Sequence, residues 1–437
     1  MKNPSKAVKT QLMSIIREMT SNSDLFVKEP GRDFSRERKL SFEKMLRLLL
    51  VMGGGSLQTE LYKHEGYAVN TATSSAFIQQ RDKIQPLAFE YILHEFTPAS
   101  AKAKRYKGFR LLSVDGSDLH TPTNPKETDS YFQLHPDEKG YNLMHLNALY
   151  DLCNQIYLDA IIQNRRHVNE HKALTNMVDC SPIGKALVIA DRGYEAYNDL
   201  AHIEQKGWKY LIRIRDAVSG TGILTGLKLP ESPEFDVSVQ RILTRKQTKD
   251  VKAKPELYRF LPTNSTFDFL DRNQHMYYPL SFRIVRFKIT DDTYETLITN
   301  LDREPFPPSE LKSLYRMRWG IETAFRSLKY AVGLISFHSK KAVYISQEVF
   351  AALITYNFSA MVTSQVIIEQ KYTQYDYQVN FSLAVQICKR FFYSCEMAHP
   401  PDVEALILAN TLPVRNGRCF ARKVRFRQAV GFNYRIS

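Results

Sequence analysis

The 437-residue chain is short of cysteine and tryptophan, with five and two, and short of acidic charge against its basic charge. The cysteines, at 153, 180, 388, 395 and 419, include no Cys-x-x-Cys pair and are odd in number, which argues against a disulfide framework and against a zinc site. Reduced thiols suit a reducing cytoplasm. No internal repeat or low-complexity tract is visible. The opening stretch, Met1 to Met19, is interrupted by Lys2, Lys6, Lys9 and Arg17, so it lacks the unbroken apolar core of a secretory signal. One long charge-free run, Val349 to Ile368, contains Thr355, Tyr356, Asn357, Ser359, Thr363, Ser364 and Gln365. Those groups are costly in lipid and acceptable in a protein interior, so a buried core helix is expected and no membrane association.

What is present is an ordinary globular balance, 43% hydrophobic and 24% charged residues, on a chain long enough for two to four structural units. Sixty Lys and Arg against 46 Asp and Glu leave a formal charge of +14, which favours a polyanionic partner, nucleic acid before others.

Four regions differ in pattern. Residues 1–105 read as helices: Val8, Leu12, Ile15, Ile16 and Met19 fall at helical spacing, and Ser41 caps a run from Phe42 to Met52 that Gly53-Gly54-Gly55 ends. Leu57 to Lys63 and Ala72 to Ile84 then outline a helix-turn-helix whose second helix presents Gln79, Gln80, Arg81 and Lys83. Arg81 and Lys83 are the candidate DNA contacts there; an ordinary helical bundle with a polar outer face is the competing reading. Beyond the basic connector from Lys102 to Lys107, residues 106–216 alternate between strand-like runs (Phe109 to Val114, Leu143 to Tyr150, Ile156 to Gln163, Ala186 to Ala190, Lys209 to Ile214) and helical stretches near Asn169 to Val178 and Glu195 to Gln205. The pattern implies an α/β fold, a mixed sheet covered by helices. Residues 217–300 form a β-rich insertion, and 301–345 return to the α/β unit. Residues 346–437 are helical and end in a tail that, from Thr411 onward, has seven Lys or Arg and no acid.

Three acids stand out. Asp115 follows the apolar run Phe109 to Val114 and precedes Gly116; Asp191 follows Ala186 to Ala190 and precedes Arg192-Gly193-Tyr194. Open sheets place ligands beyond the carboxyl ends of their strands, so two equivalent aspartates can converge on one metal, although Asp before Gly is also a common turn. Asp118 competes with Asp115 for that role. Around Glu322, Tyr315, Arg318 and Lys329 fall with it in a helical arc of about 60°, beside an apolar stripe of Leu314, Ile321, Phe325 and Leu328. An i,i+4 surface pair between Arg318 and Glu322 accounts for part of that pattern. Hard carboxylate oxygens suit Mg²⁺ or Mn²⁺, and two such ions can activate a hydroxyl and stabilise a departing oxygen. Arg318 and Lys329 would then neutralise phosphate, and Tyr315 would hydrogen-bond it. His167 and Asp151 lie in the same region without a spacing argument.

Val114-Asp115-Gly116-Ser117, Ala190-Asp191-Arg192-Gly193-Tyr194 and the spacing from Tyr315 through Arg318 and Glu322 to Lys329 resemble the DDE transposases of the IS-four family, over about Phe109 to Gly333. The resemblance implies an RNase-H-like catalytic domain interrupted by the 217–300 insertion. It implies catalysis by Asp115, Asp191 and Glu322 with Mg²⁺ (or Mn²⁺), cleavage at terminal inverted repeats, strand transfer into target DNA, and a homodimer on paired double-stranded ends. Hairpin-forming relatives hold a flipped base on a Trp of the insertion. Here Trp208 and Trp319 lie outside it, leaving Phe267, Phe269, Tyr277 or Tyr278 as substitutes. A metal-dependent nuclease without strand transfer, or a transposase-derived DNA-binding protein without catalysis, would share much of this sequence.

Overall fold

The computed structural model describes residues 4–97, 103–133, 135–216, 220–271, 276–368, 375–394 and 401–414. The basic tail beyond 414, Lys102 of the connector, and Cys395 and Cys419 lie outside the described residues.

Five helices come first: α1 Pro4–Ser21, α2 Phe42–Val51, α3 Leu57–His64, α4 Ser74–Asp82 and α5 Leu87–Phe96. Local chemistry sets their starts. The hydroxyls of Ser41, Ser56 and Thr73 accept the amides of Lys44, Thr59 and Ala76, satisfying donors that the first helical turn leaves unpaired. Between α3 and α4 the chain turns through Gly66 and Tyr67, both at positive φ.

The strands that follow are β1 Arg110–Thr121, β2 Tyr131–Phe132, β3 Tyr141–Asp151 and β4 Ile156–Asn164. After α6 (Glu170–Cys180) comes β5 Ala186–Ala190, and after α7 (Tyr197–Gln205) β6 Lys209–Ile214. β1 pairs antiparallel with β3, which pairs antiparallel with β4; on its other side β1 runs parallel to β5, and β5 parallel to β6. The resulting order, β4-β3-β1-β5-β6, with helices on both faces, is RNase-H-like. β5 and β6 have the boundaries their apolar runs predict. β1 is longer than expected: the sequence reads as a turn at Gly116, yet pairing with β3 continues from Leu112↔Asp151 to Thr121↔Asn142. The polar residues after Val114 are strand residues whose partners come from one side only.

The β-rich region contributes β7 Phe235–Thr244, a short helix α8 (Lys249–Ala253), β8 Tyr258–Phe260, β9 Tyr277–Thr290 and β10 Thr293–Thr299. These strands extend the same sheet from its β6 edge in the order β6-β10-β9-β7-β8, giving ten strands among the described residues. Helices α9 Pro308–Met317 and α10 Trp319–Ser327 are separated only by Arg318, itself helical in backbone angle, and are followed by a π-turn over Leu328–Val332 and then Gly333 at φ 104°.

α11 (Ala342–Thr363) contains most of the charge-free run and is almost wholly buried. Several of its buried polar residues have tasks. Asn357 accepts from the backbone N–H of Tyr157 at 2.8 Å and donates to its carbonyl at 2.7 Å, satisfying β4 beside a bulge. Thr355 donates to Leu50 O of α2 at 2.5 Å, and Gln347 to Ile84 O at 2.7 Å. No described helix is long and apolar enough to cross a membrane. α12 (Phe381–Tyr393) also packs on α2, so helices from both ends of the chain share one body.

Arg81 belongs to that body, which corrects its expected place on DNA. It is 2% exposed: Nε donates to Gln347 at 2.7 Å, Nη1 to Glu348 at 2.8 Å and Nη2 to Tyr344 O. Phe77 and Arg81 share the buried side of α4, with Ile84 buried just beyond its end, and the guanidinium ties α4 to α11. Burying a charge is tolerable only with such partners, and removing one partner leaves the other uncompensated. Arg81→Ala is therefore expected to lower unfolding stability by about 3–5 kcal/mol, measured by urea titration; an unchanged midpoint would return Arg81 to the surface role.

Candidate active site

The register of the two parallel strands builds the site. Arg110 pairs with Ala186 and Ser113 with Ile189, so Asp115 and Asp191 stand at the same level just past the paired segment. Asp115 lies within β1, not at its end, but beyond the reach of β5. Successive strand residues face opposite sides of a sheet. Asp115 and Ser117 accordingly face α10, while Gly116 and Asp118 face α6. That separates the two aspartates the sequence left in competition: Asp118 meets His145 at 2.7 Å and Arg165 at 3.5 Å on the α6 side.

Each of the three acids uses one oxygen inside the protein. Asp115 Oδ1 accepts the amide of Gly116 at 2.9 Å, Asp191 Oδ1 the amide of Gly193 at 2.8 Å, and Glu322 Oε1 the Nη2 of Arg318 at 2.8 Å. The second oxygens of all three carry no hydrogen bond among the described residues. Burial, with Asp191 and Glu322 nearby, pushes the Asp115 carboxyl up to about 6, although the Gly116 amide and Arg318 act in the other direction. The three groups thus feel one another. Among the described residues no three His, Cys, Asp or Glu side chains stand close enough to enclose a metal ion between them. Glu322 is held on Arg318.

Arg318 is buried, lies over the rings of Tyr315 at 5.9 Å and Trp319 at 5.0 Å, and has an Nε without a partner. Tyr315 is 5% exposed, its hydroxyl has no hydrogen bond, and burial raises its pKa to about 12. Lys329 sits within the π-turn and donates from Nζ to Ser117 Oγ at 2.7 Å and Asp118 O at 2.9 Å. The single helical stripe drawn from spacing is therefore two helices and a π-turn. The turn aims Lys329 at β1, two residues beyond Asp115; such turns recur at functional sites.

His145 and Glu170 are functional-site neighbours that spacing did not reveal. His145 contacts Asp118 through Nδ1 and lies 2.9 Å from Glu170 Oε1 through Nε2. Burial alone would lower its pKa, but the two carboxylates hold it up at about 9. A Cβ at Gly116 would come within 2.3 Å of His145 Nε2, which is why glycine follows Asp115. The clue in the sequence was Glu170 opening a helix beside the sheet, legible only once β3 had placed His145 opposite Asp118. His167 is exposed, 3.6 Å from Asp129, and Asp151 forms a buried pair with Arg110 at 2.5 Å; both are remote from this chemistry in role.

Of the aromatic substitutes for an insertion Trp, Phe267, Phe269 and Tyr278 pack on one another at 5.3–5.8 Å, and Phe269 also meets His202. Only Tyr277 among the four is exposed. Trp208 is buried, whereas Trp319, set aside in the sequence for lying outside the insertion, is 54% exposed beside Arg318.

Residues 106–358, more than half of the chain, match the Transposase DDE domain family. The chain belongs to that family of transposases. It is 29% identical over 143 residues to the transposase InsG for insertion sequence element IS4 of Escherichia coli (strain K12); the match takes in 30% of this chain and 32% of that protein, about a third of the relative's own length. A piggyBac transposase in a synaptic complex with hairpin DNA superimposes with a TM-score of 0.42 at 10% identity, over 94% of this chain and 86% of that one, a likeness too low to carry functional weight.

Asp115 yields a test independent of catalysis. Its carboxyl titrates near 3.8 when unfolded and at about 6 when folded. A raised folded value means that its contribution to stability is fully present below about pH 4 and is lost as pH rises through about 6. Asp115→Asn keeps the shape and removes the charge. It should raise stability near neutral pH by about 1–3 kcal/mol, with the gain disappearing at about pH 4, as read by thermal melts at the two pH values. A variant no more stable than the parent near neutral pH would refute the proposed burial cost.

Proposed function

We propose that the protein is a metal-dependent DNA endonuclease and strand transferase that cleaves at the terminal inverted repeats of its own insertion sequence and joins the ends to target DNA. The observation that carries the reading is that Asp191 and Glu322 both act on the buried Asp115 carboxyl, while each of the three acids has one oxygen tied by a hydrogen bond and one without a hydrogen bond among the described residues. Membership of the DDE transposases supports the use of divalent metal. The donor set fits Mg²⁺ or Mn²⁺, since hard carboxylate oxygens combined with water and substrate phosphate satisfy such ions without an all-protein cage. Asp115 and Asp191 would hold a pair of ions between them, and Glu322 would join on exchanging its Arg318 partner. When bound, the ions supply a Lewis acid and an activated hydroxyl for in-line displacement.

The protein's own groups do the rest. Lys329, fixed between Ser117 and Asp118, places an ammonium beside the strand that carries Asp115, where it offsets phosphate charge. Arg318, freed from Glu322, would present a guanidinium to the same oxygens, and the buried Tyr315 hydroxyl, without a hydrogen bond among the described residues, would be available to a phosphate or a base. In the first step water breaks a phosphodiester and a 3′ hydroxyl leaves. In the second that hydroxyl attacks a phosphodiester of target DNA, forming one P–O bond as another breaks. Paired ends held by a homodimer would bring the two reactions together in the bacterial cytoplasm.

The test is Asp115→Ala, Asp191→Ala and Glu322→Ala, each assayed with Mg²⁺ on element-end DNA. Loss of cleavage by at least about 10²-fold is expected in each, with DNA binding kept. Normal cleavage by any one variant removes that residue from the site. Pre-cleaved ends that are hydrolysed further but never joined to target DNA would reduce the protein to a nuclease.

A further inference from the structure

With Arg81 buried, the N-terminal helices need another surface if they touch DNA. A cavity of about 570 Å³ opens where the loop after Val27 folds back on the end of α4. The loop is anchored there: Val27 bridges Ile84, and Lys28 donates its amide to Lys83 O at 2.9 Å. Beyond this anchor its path is fixed by carboxylates. Asp24 accepts the amide of Gly31 at 2.8 Å and Asp33 that of Glu29 at 3.1 Å, while Gly31 and Phe34 both take positive φ. A phenylalanine in the left-handed region is uncommon and stays there only when its surroundings hold it. This is a shaped loop.

The charges around the cavity sort cleanly. Glu29 pairs with Arg32 at 2.5 Å, Asp82 with Lys28 at 3.2 Å, and Asp33 lies 3.8 Å from Lys83. Arg36 and Arg38 remain: both line the cavity, both are exposed, and neither has an ion pair or hydrogen bond among the described residues. Glu37, between them, does not line it. Gln79, exposed on α4, completes the rim with an amide. Two exposed guanidinium groups that line one cavity without an ion pair among the described residues suit a polyanion, and arginine is suited to phosphate by its fork of donors.

We infer that this loop, through Arg36 and Arg38, docks the phosphodiester backbone of double-stranded DNA, which is the positioning contact first sought on Arg81. The inference rests on the DNA reading above and adds to it a surface with no part in the chemistry. Contacts of this kind set register and orientation rather than sequence preference.

The experiment is fluorescence anisotropy of the full chain, without metal, on a labelled mixed-sequence DNA duplex across a salt series. Each phosphate contact contributes about 0.9 to the slope of log affinity against log salt, so Arg36→Ala/Arg38→Ala should lower the slope by about 1.8 and weaken binding about thirtyfold at roughly 0.15 M salt. The charge-matched control Arg17→Ala/Arg390→Ala removes two exposed arginines elsewhere and should leave the slope in place. Both doubles remove exposed side chains, and melting curves matching the parent's confirm that each folds. A parental slope in Arg36→Ala/Arg38→Ala, or an equal loss in the control, overturns the docking surface alone. A parent protein that binds no duplex overturns this surface and the DNA reading with it.

Discussion

Four residue pairs between β1 and β5 set the geometry on which the site depends. From Arg110↔Ala186 to Ser113↔Ile189 they bring Asp115 level with Asp191. Slipping β1 by one residue would turn Asp115 to the α6 side, where Asp118 now sits with His145, because strand side chains alternate. The start of β1 is held by the Arg110–Asp151 pair, both residues essentially without solvent, and its middle by the His145 contact that leaves room at position 116 only for glycine. The face that carries Asp115 thus depends on groups that belong to the opposite face and to the base of the strand.

A second dependence runs through α11. Gln347, Glu348, Thr355 and Asn357 reach α4, α2 and β4 from one helix, so the N-terminal helices, the C-terminal helices and the sheet are fastened to a common element. Lys389 of α12 adds a tie, donating to Met52 O and Val332 O at 3.0 Å each and joining the N-terminal unit to the end of the π-turn that carries Lys329. Burial lowers that lysine's pKa to about 8. The charge-free run that invites a membrane reading is apolar because the interior surrounds it, and polar where neighbouring backbone needs partners.

Much of this was legible. Apolar runs marked β5 and β6 to the residue, Ser41 announced α2, and the three acids, Arg318 and Lys329 stand out by their order and spacing. What was not legible depended on contacts distant in sequence. β1 looked finished at Val114 because Asp115, Ser117, Asp118 and His120 are poor strand signals, and β3 overrides them. Arg81 looked like a surface group because arginine usually is one, although Phe77, Arg81 and Ile84 at helical spacing marked an inward side. Glu170 at the start of a helix was a clue without a target, since nothing short of the β1–β3 register makes it and His145 neighbours of position 116.

The region 217–300 was expected as an insertion, and its strands continue the ladder from β6 without a gap. Mechanically this makes the sheet a single plate: β10 pairs with one side of β6, antiparallel, as β5 pairs with the other, parallel. A segment bonded along its edge has no hinge about which to swing by itself. In the proposed reaction, DNA leaning on the far strands would be located relative to Asp115 and Asp191 by the stiffness of the ladder, and alignment of substrate would become a matter of how the duplex bends across a rigid surface.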